Sequence, residues 1–225
     1  MLKKEDIVFL KETLNFWKDL SSLQIDMLAK SIVEKHFTIG ETMNGDAENC
    51  SGLFLIHTGQ VRAYIVSESG KEITLYRLFD RDVCIFSAAC IMKNISFDIL
   101  IEVEKDTTAY LIPTSIFLKL SAESMAVQAF TNDLMASRFS EVMWIMEQSL
   151  FMSFDRRLAT FLLEQANIEE SKVLSITHEK IANNLGSARE VVTRMLKYFQ
   201  SEGMVRLTRG TIELIDIRKL ERMTL

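Results

Sequence analysis

Arg189, Glu190, Thr193, Arg194 and Lys197 sit together in the stretch REVVTRMLKYF. On an α-helix, at about 100° per residue, they share an arc of roughly 140°. The opposite side carries Val192, Met195, Leu196 and Phe199, spaced i, i+3, i+4, i+7, which is a stripe that a core buries. The chemistry open to the polar arc is recognition. An arginine donates two parallel hydrogen bonds to guanine O6 and N7, and a glutamate accepts from cytosine N4. Charges on the outer face of a helix are more often merely solvated, so the arc alone decides nothing. Ser187 and Glu190 also read as an S-x-x-E capping box, which would turn Glu190 back to the backbone.

The neighbours tip the balance. In SITHEKIANNLGSAREVV, Thr177 is placed to cap a short helix with Ile181, Ala182 and Leu185 on its apolar side. Gly186 ends that helix, where a left-handed backbone is expected. Ser187 caps the second helix, residues 188–201, and Gly203 ends it. VRLTRGTIELI then reads as a hairpin turning at Arg209-Gly210. Two helices about a glycine turn, followed by a two-stranded wing, form a winged helix-turn-helix. In that arrangement Arg189, Glu190, Thr193 and Arg194 are the base-reading candidates. Thr177, Ser187, Lys197 and Arg209 are the candidates for phosphate contact.

The elements that must carry this motif lie upstream. Residues 1–35 show helical periodicity through Ile7, Leu10, Leu14, Leu23, Met27, Leu28 and Ile32. From about 36 to 112 the pattern becomes short β-branched and aromatic runs, broken at Thr58-Gly59 and at SESGK, with a hairpin turn at Gly70. FDILIEVEKDTTAYLIP adds two strands around EKD. Such spacing predicts an antiparallel roll or barrel. Pro113 opens a helical stretch in the position that suits a first turn. Residues 125–151 contain neither proline nor glycine and predict one helix of roughly 40 Å. Val127, Phe130, Leu134, Val142 and Ile145 fall near one stripe, expected to pair two copies of the chain, although Arg138 and Glu141 interrupt a clean heptad seam. The alternative is a helix laid along its own barrel. Ser153 then caps a further helix, FDRRLATFLLEQANI.

The expected class is α+β: an N-terminal antiparallel β-roll or jelly-roll with N-terminal helices (1–124), a long dimerisation helix (125–151) and a C-terminal winged helix-turn-helix (152–225). Among 225 residues 48% are apolar, enough for a packed core. The net charge of −5 excludes a chain that is basic throughout. Residues 153–225 hold 12 Lys and Arg against 10 Asp and Glu, so the positive balance lies in the third that carries the motif. No apolar run approaches the ~18 residues of a membrane helix, and the N-terminus has no signal-peptide pattern. Cys50, Cys84 and Cys90 are odd in number and lack metal-site spacing, as reduced thiols of a cytoplasmic protein would.

With these motifs in place the chain resembles the CRP/FNR superfamily of bacterial transcription regulators, from about residue 20 to the end and most specifically over 175–215. The resemblance implies a cyclic-nucleotide-binding-like roll, a homodimer, palindromic double-stranded DNA and RNA polymerase as partners, and no enzymatic activity. It also implies a base-reading pattern R-E-x-x-x-R or E-x-x-S-R. Here that pattern falls on Arg189, Glu190 and Arg194, with Thr193 where one branch has serine.

The effector is where the chain departs from the pattern. Members that bind cyclic AMP hold its ribose and phosphate with a Gly-Glu pair and an Arg-Ser or Arg-Thr pair. The corresponding RDVCIFSAACIMKNISFDILIEV has no Gly-Glu and no arginine after Arg81. A cyclic phosphate needs cationic and N–H partners, so the reading goes against a cyclic nucleotide. Iron–sulfur sensing in the family uses N-terminal cysteines, and none precedes Cys50. Haem is an alternative through His57, Cys84 and Cys90, although a lone His or Cys on a strand is usually packed core. The apolar CIFSAACIM suits a small hydrophobic effector, with Cys84, Phe86, Ser87, Cys90 and Phe97 as candidate lining. The cofactor is left unassigned and no metal is expected.

Two other classes stay open. A β-barrel metal enzyme would need clustered ligands, and the only histidines are His36, His57 and His178. A scaffold whose winged helix contacts protein would not discriminate DNA sequences.

Overall fold

The computed structural model describes residues 3–43, 52–85 and 99–224. Phe86, Ser87, Cys90 and Phe97 of the expected effector pocket lie outside those residues. The chain divides into two compact units, Met1–Ile65 with Leu75–Val142, and Val66–Thr74 with Met143–Leu225.

The first unit opens with α1 (Lys4–Thr13), a 3-10 turn (Asn15–Asp19) and α2 (Ser22–Ser31). Ser21 caps α2 with a full capping box: its hydroxyl accepts from the Gln24 amide, and the Gln24 side chain accepts from the Ser21 amide. Strand β1 (Val33–Phe37) begins earlier than the helical periodicity suggests. It pairs antiparallel with β5 (Leu100–Pro113), which pairs antiparallel with β2 (Gly52–Val66). β3 (Glu72–Leu78) lies on the far side of β2, and the short β4 (Val83–Cys84) also pairs with β2.

Two breaks expected from the sequence are bends within strands. β2 runs through Thr58-Gly59 and β5 runs through EKD. The register shifts three times between Ile56 and Val61, so the ladder bulges and continues. Gly59 makes this possible with φ +114°. A Cβ there would lie 2.6 Å from the Asp106 carbonyl oxygen. Pro113 is the last strand residue and the N-cap of α3 (Thr114–Glu123), one position earlier than expected.

The roll interior is apolar: Phe54, Ile56, Val61, Leu78, Ile101 and Val103 are buried together with Cys84. A second cluster joins the helices to the other side of the sheet through Leu10, Leu14, Phe16, Leu28, Phe117 and Tyr110. Each large apolar side chain so buried contributes roughly 1.5–3 kcal/mol.

Helix α4 (Met125–Phe151) is one uninterrupted helix, as the sequence indicates. Most of the stripe expected to pair two chains packs on this chain's own core. Val127 is wholly buried in this chain's own core, with Phe130 and Leu134 packed against it. Val142 packs on the roll interior, and Ile145 is half-buried. The side that faces outward is a different one. Ala129, Asn132, Ala136, Phe139, Met143, Met146 and Leu150 are all exposed, and they step by three and four residues alternately. The pattern was hard to see in the sequence because both faces of this helix are apolar, leaving little amphipathic contrast.

The second unit holds α5 (Phe154–Ile168), β6 (Val173–Leu174), α6 (His178–Leu185), α7 (Arg189–Ser201), β7 (Val205–Thr208), β8 (Thr211–Leu214) and α8 (Ile217–Thr224). Its core gathers Leu158, Leu162, Ile181, Val192, Leu196, Phe199 and Ile212. None of the helices among the described residues is long and apolar enough to cross a membrane.

Candidate nucleic-acid interface

Thr177 caps α6 as its sequence position implies, its hydroxyl accepting from the Lys180 amide at 3.1 Å. Gly186 follows in the left-handed region at φ +63°, and its amide bonds the Ala182 carbonyl. From α5, Arg157 Nη1 donates to the Leu185 carbonyl at 3.1 Å, satisfying an acceptor left open at the end of α6. Burial lowers the pKa of the Arg157 guanidinium from its ordinary value.

Helix α7 starts one residue later than the sequence suggests. Its N-cap is Ala188, with no side-chain cap bond, so Ser187 does not cap it. Glu190 is therefore the second residue of the helix, and the capping-box geometry fails by one position. The carboxylate stands exposed on the helix surface.

The buried stripe of α7 is Val192, Leu196 and Phe199, with Met195 partly covered. On the other side Arg189, Glu190, Thr193, Arg194 and Lys197 line one open depression of about 410 Å³. All five base and phosphate candidates of the second helix thus share one face. Thr177 and Arg209 are exposed and Ser187 is half-buried. The wing pairs Val205 with Leu214 and Thr208 with Thr211, leaving Arg209-Gly210 as its two-residue tip. Arg206 and Glu213 form an ion pair across it at 2.9 Å.

One further residue of this surface has no local signal of its role in the sequence. His178, at the start of α6, has Nδ1 2.9 Å from Thr193 Oγ1. Burial, and secondarily the positive charge of Arg189, lower its pKa below the ordinary 6.5. Only tertiary contact between two helices reveals it, because 178 and 193 share no helical face.

The other predicted ligands are dispersed. Cys84 is buried in the roll interior. His36 bonds the Thr108 hydroxyl, while His57 packs edge-on against Phe9 at 4.8 Å. Among the described residues no three His, Cys, Asp or Glu side chains come together as a metal site.

A glycine-linked helix pair with a wing, presenting arginines on an open face, defines a DNA-binding domain of the winged helix-turn-helix class. The Crp-like helix-turn-helix domain family matches residues 156–223. A solved chain from Eubacterium rectale, assigned to the Crp/Fnr family of transcriptional regulators, is 47% identical. That match covers 95% of this chain and 99% of the other, with a TM-score of 0.92. The chain belongs to the Crp/Fnr family of transcription regulators. It is also similar to the cyclic AMP receptor protein of Thermus thermophilus, at 23% identity over 204 residues, 91% of this chain and 94% of that protein. Electron transport regulator A of Shewanella oneidensis is 27% identical over 215 residues, 89% of this chain and 82% of that protein.

Proposed function

We propose that the protein works in the cytoplasm as a homodimer that reads a palindromic operator and engages RNA polymerase. Residues 152–225 bind DNA, residues 125–151 pair the chains, and residues 1–124 sense an effector. The observation that carries this reading is the α7 face, where Arg189, Glu190, Thr193, Arg194 and Lys197 line one open depression backed by a buried stripe. Arg189, Glu190, Thr193 and Arg194 read base edges. Thr177, Ser187, Lys197 and Arg209 meet phosphates, which set position and register and carry no sequence information.

Pairing runs along the exposed heptad-spaced side of α4. Ala129, Ala136, Phe139, Met143, Met146 and Leu150 supply apolar seam positions, and Asn132 supplies one polar position that fixes register. Two-fold symmetry then spaces the half-sites about 34 Å apart.

The effector is a small molecule other than a cyclic nucleotide. The stretch 81–103 lacks the Gly-Glu and Arg-Ser pairs that such a ligand needs. The effector acts by shifting the balance between two placements of the recognition helices.

Genome-wide mapping of bound sites, followed by titration of a recovered fragment, tests this. The expected result is a shared inverted repeat bound by two chains. Binding indifferent to sequence would overturn it.

A further inference from the structure

The contact between His178 and Thr193 restricts what Thr193 can say to a base. A threonine hydroxyl has one proton and two lone pairs. Thr193 Oγ1 lies 2.9 Å from the Arg189 carbonyl oxygen, which can only accept, and 2.9 Å from His178 Nδ1. With its proton on the carbonyl, the hydroxyl accepts from Nδ1–H of the imidazole. With the other tautomer the same proton goes to Nδ1. In both arrangements the proton stays inside the protein. The face turned to the depression shared with Arg189, Glu190 and Arg194 retains only acceptor capacity.

We infer that Thr193 selects an exocyclic amine on the contacted strand, adenine N6 or cytosine N4, against the keto oxygens of guanine and thymine, and that His178 is the residue that positions it for this. The inference rests on the base-reading role proposed for α7. In the major groove the amine sits on A and C, and an acceptor placed against one strand therefore separates A or C from G or T there. Threonine in a helix otherwise divides between two χ1 rotamers, because its hydroxyl bonds back to the preceding turn in only some of them. His178, fixed by α6 and half-buried, holds the one seen here. Burial beside Arg189 favours the neutral imidazole, whose single N–H suits this pairing.

The test uses the full-length protein and an operator recovered by selection from random double-stranded DNA. All four base pairs are placed at each half-site position, and binding is measured for wild type, Thr193→Val, Thr193→Ser, His178→Ala and His178→Asn. At one position wild type should accept A and C about equally and bind G and T about five- to tenfold more weakly. Purine in place of adenine, or 2-pyrimidinone in place of cytosine, should cost as much there, since each lacks only the amine. Thr193→Val should flatten that position and Thr193→Ser should keep it. His178→Ala should reduce the discrimination, and His178→Asn, whose amide N–H replaces Nδ1–H, should restore it. A preference for G or T that Thr193→Val abolishes would overturn the inference, because the hydroxyl would then be donating. So would a Thr193→Val protein whose base preferences are unchanged at every position while Arg189→Ala and Arg194→Ala lose theirs. That pattern would leave base reading by α7 intact. Full discrimination in His178→Ala would remove His178 from the role. Failure of all arginine and threonine variants to change base preference would overturn the reading of α7 itself.

Discussion

Arg138 reaches from the long helix into the roll and lies over the ring of Tyr76, its guanidinium carbon 4.8 Å from the ring centroid. It is only 6% exposed, and Nη1 bonds both Glu141 carboxylate oxygens at 2.7 and 2.9 Å. A buried guanidinium needs such company, since stranding it costs far more than the pairing returns. Burial is also what pushes the Tyr76 hydroxyl pKa upward.

Arg138→Ala should therefore destabilise the first unit by about 1–3 kcal/mol, through lost packing on Tyr76 and lost hydrogen bonds. Arg138→Met, which keeps the length of the side chain without its charge, should cost less, because half-exposed Glu141 can turn to water. Chemical denaturation of the two variants checks the order.

The two faces of α4 make opposite predictions. Phe139→Glu or Met143→Glu, at exposed positions of the proposed seam, should give a folded monomer with unchanged far-ultraviolet dichroism where the wild type sediments as the proposed dimer. Val127→Ala, in the chain's own core, should leave the mass at two chains and lower stability by about 1–3 kcal/mol. Sedimentation and thermal melting separate the two effects.

The arginines of the interface should divide by role. Arg189→Ala and Arg194→Ala should each cost about 1–3 kcal/mol on the operator and relax base preference at one position. Arg209→Ala, at the wing tip, should weaken all sequences alike and reduce the salt slope by about one. Titrations at several salt concentrations distinguish these outcomes.

Gly59 holds the bulge of β2 at φ +114°, with the Thr107 side chain and the Asp106 carbonyl against it. Gly59→Ala should destabilise by at least about 1–3 kcal/mol, from backbone strain and steric overlap together. Gly70→Ala has open space around it and should cost only its positive φ. Comparing the two melting temperatures isolates the close approach.

His178 should make the stability depend on pH. Its pKa is lowered in the folded protein from an ordinary 6.5, so below that value the unfolded chain binds more protons. Stability should be full above about pH 6.5 and should fall as pH drops toward and through the lowered folded value. His178→Asn should flatten that slope. Denaturant titrations between pH 5 and 8 measure it.

The C-terminal motif was legible because each of its signals is local. Thr177, Gly186, Gly203 and the Arg209-Gly210 tip are backbone requirements tied to single positions, and the period of Val192, Leu196 and Phe199 needs only one helix. Ser187 was misread by one residue for the same local reason: a serine before a helix is the commonest cap, and only the backbone angles show Ala188 in that place. Strand β2 runs past the break expected at Thr58-Gly59, because a bulge and a turn both use glycine.

By itself, the amino-acid sequence determined the winged helix-turn-helix, the uninterrupted helix over 125–151 and the arc of polar residues on α7, since periodicity and turn chemistry are properties of the chain. Only the tertiary structure decided which face of α4 is spent on the roll and which stays exposed. Both faces are apolar, and burial depends on what packs against them. The same holds for His178 and Thr193. Two residues on different helices share a proton only once the core between α6 and α7 has brought them within hydrogen-bonding distance.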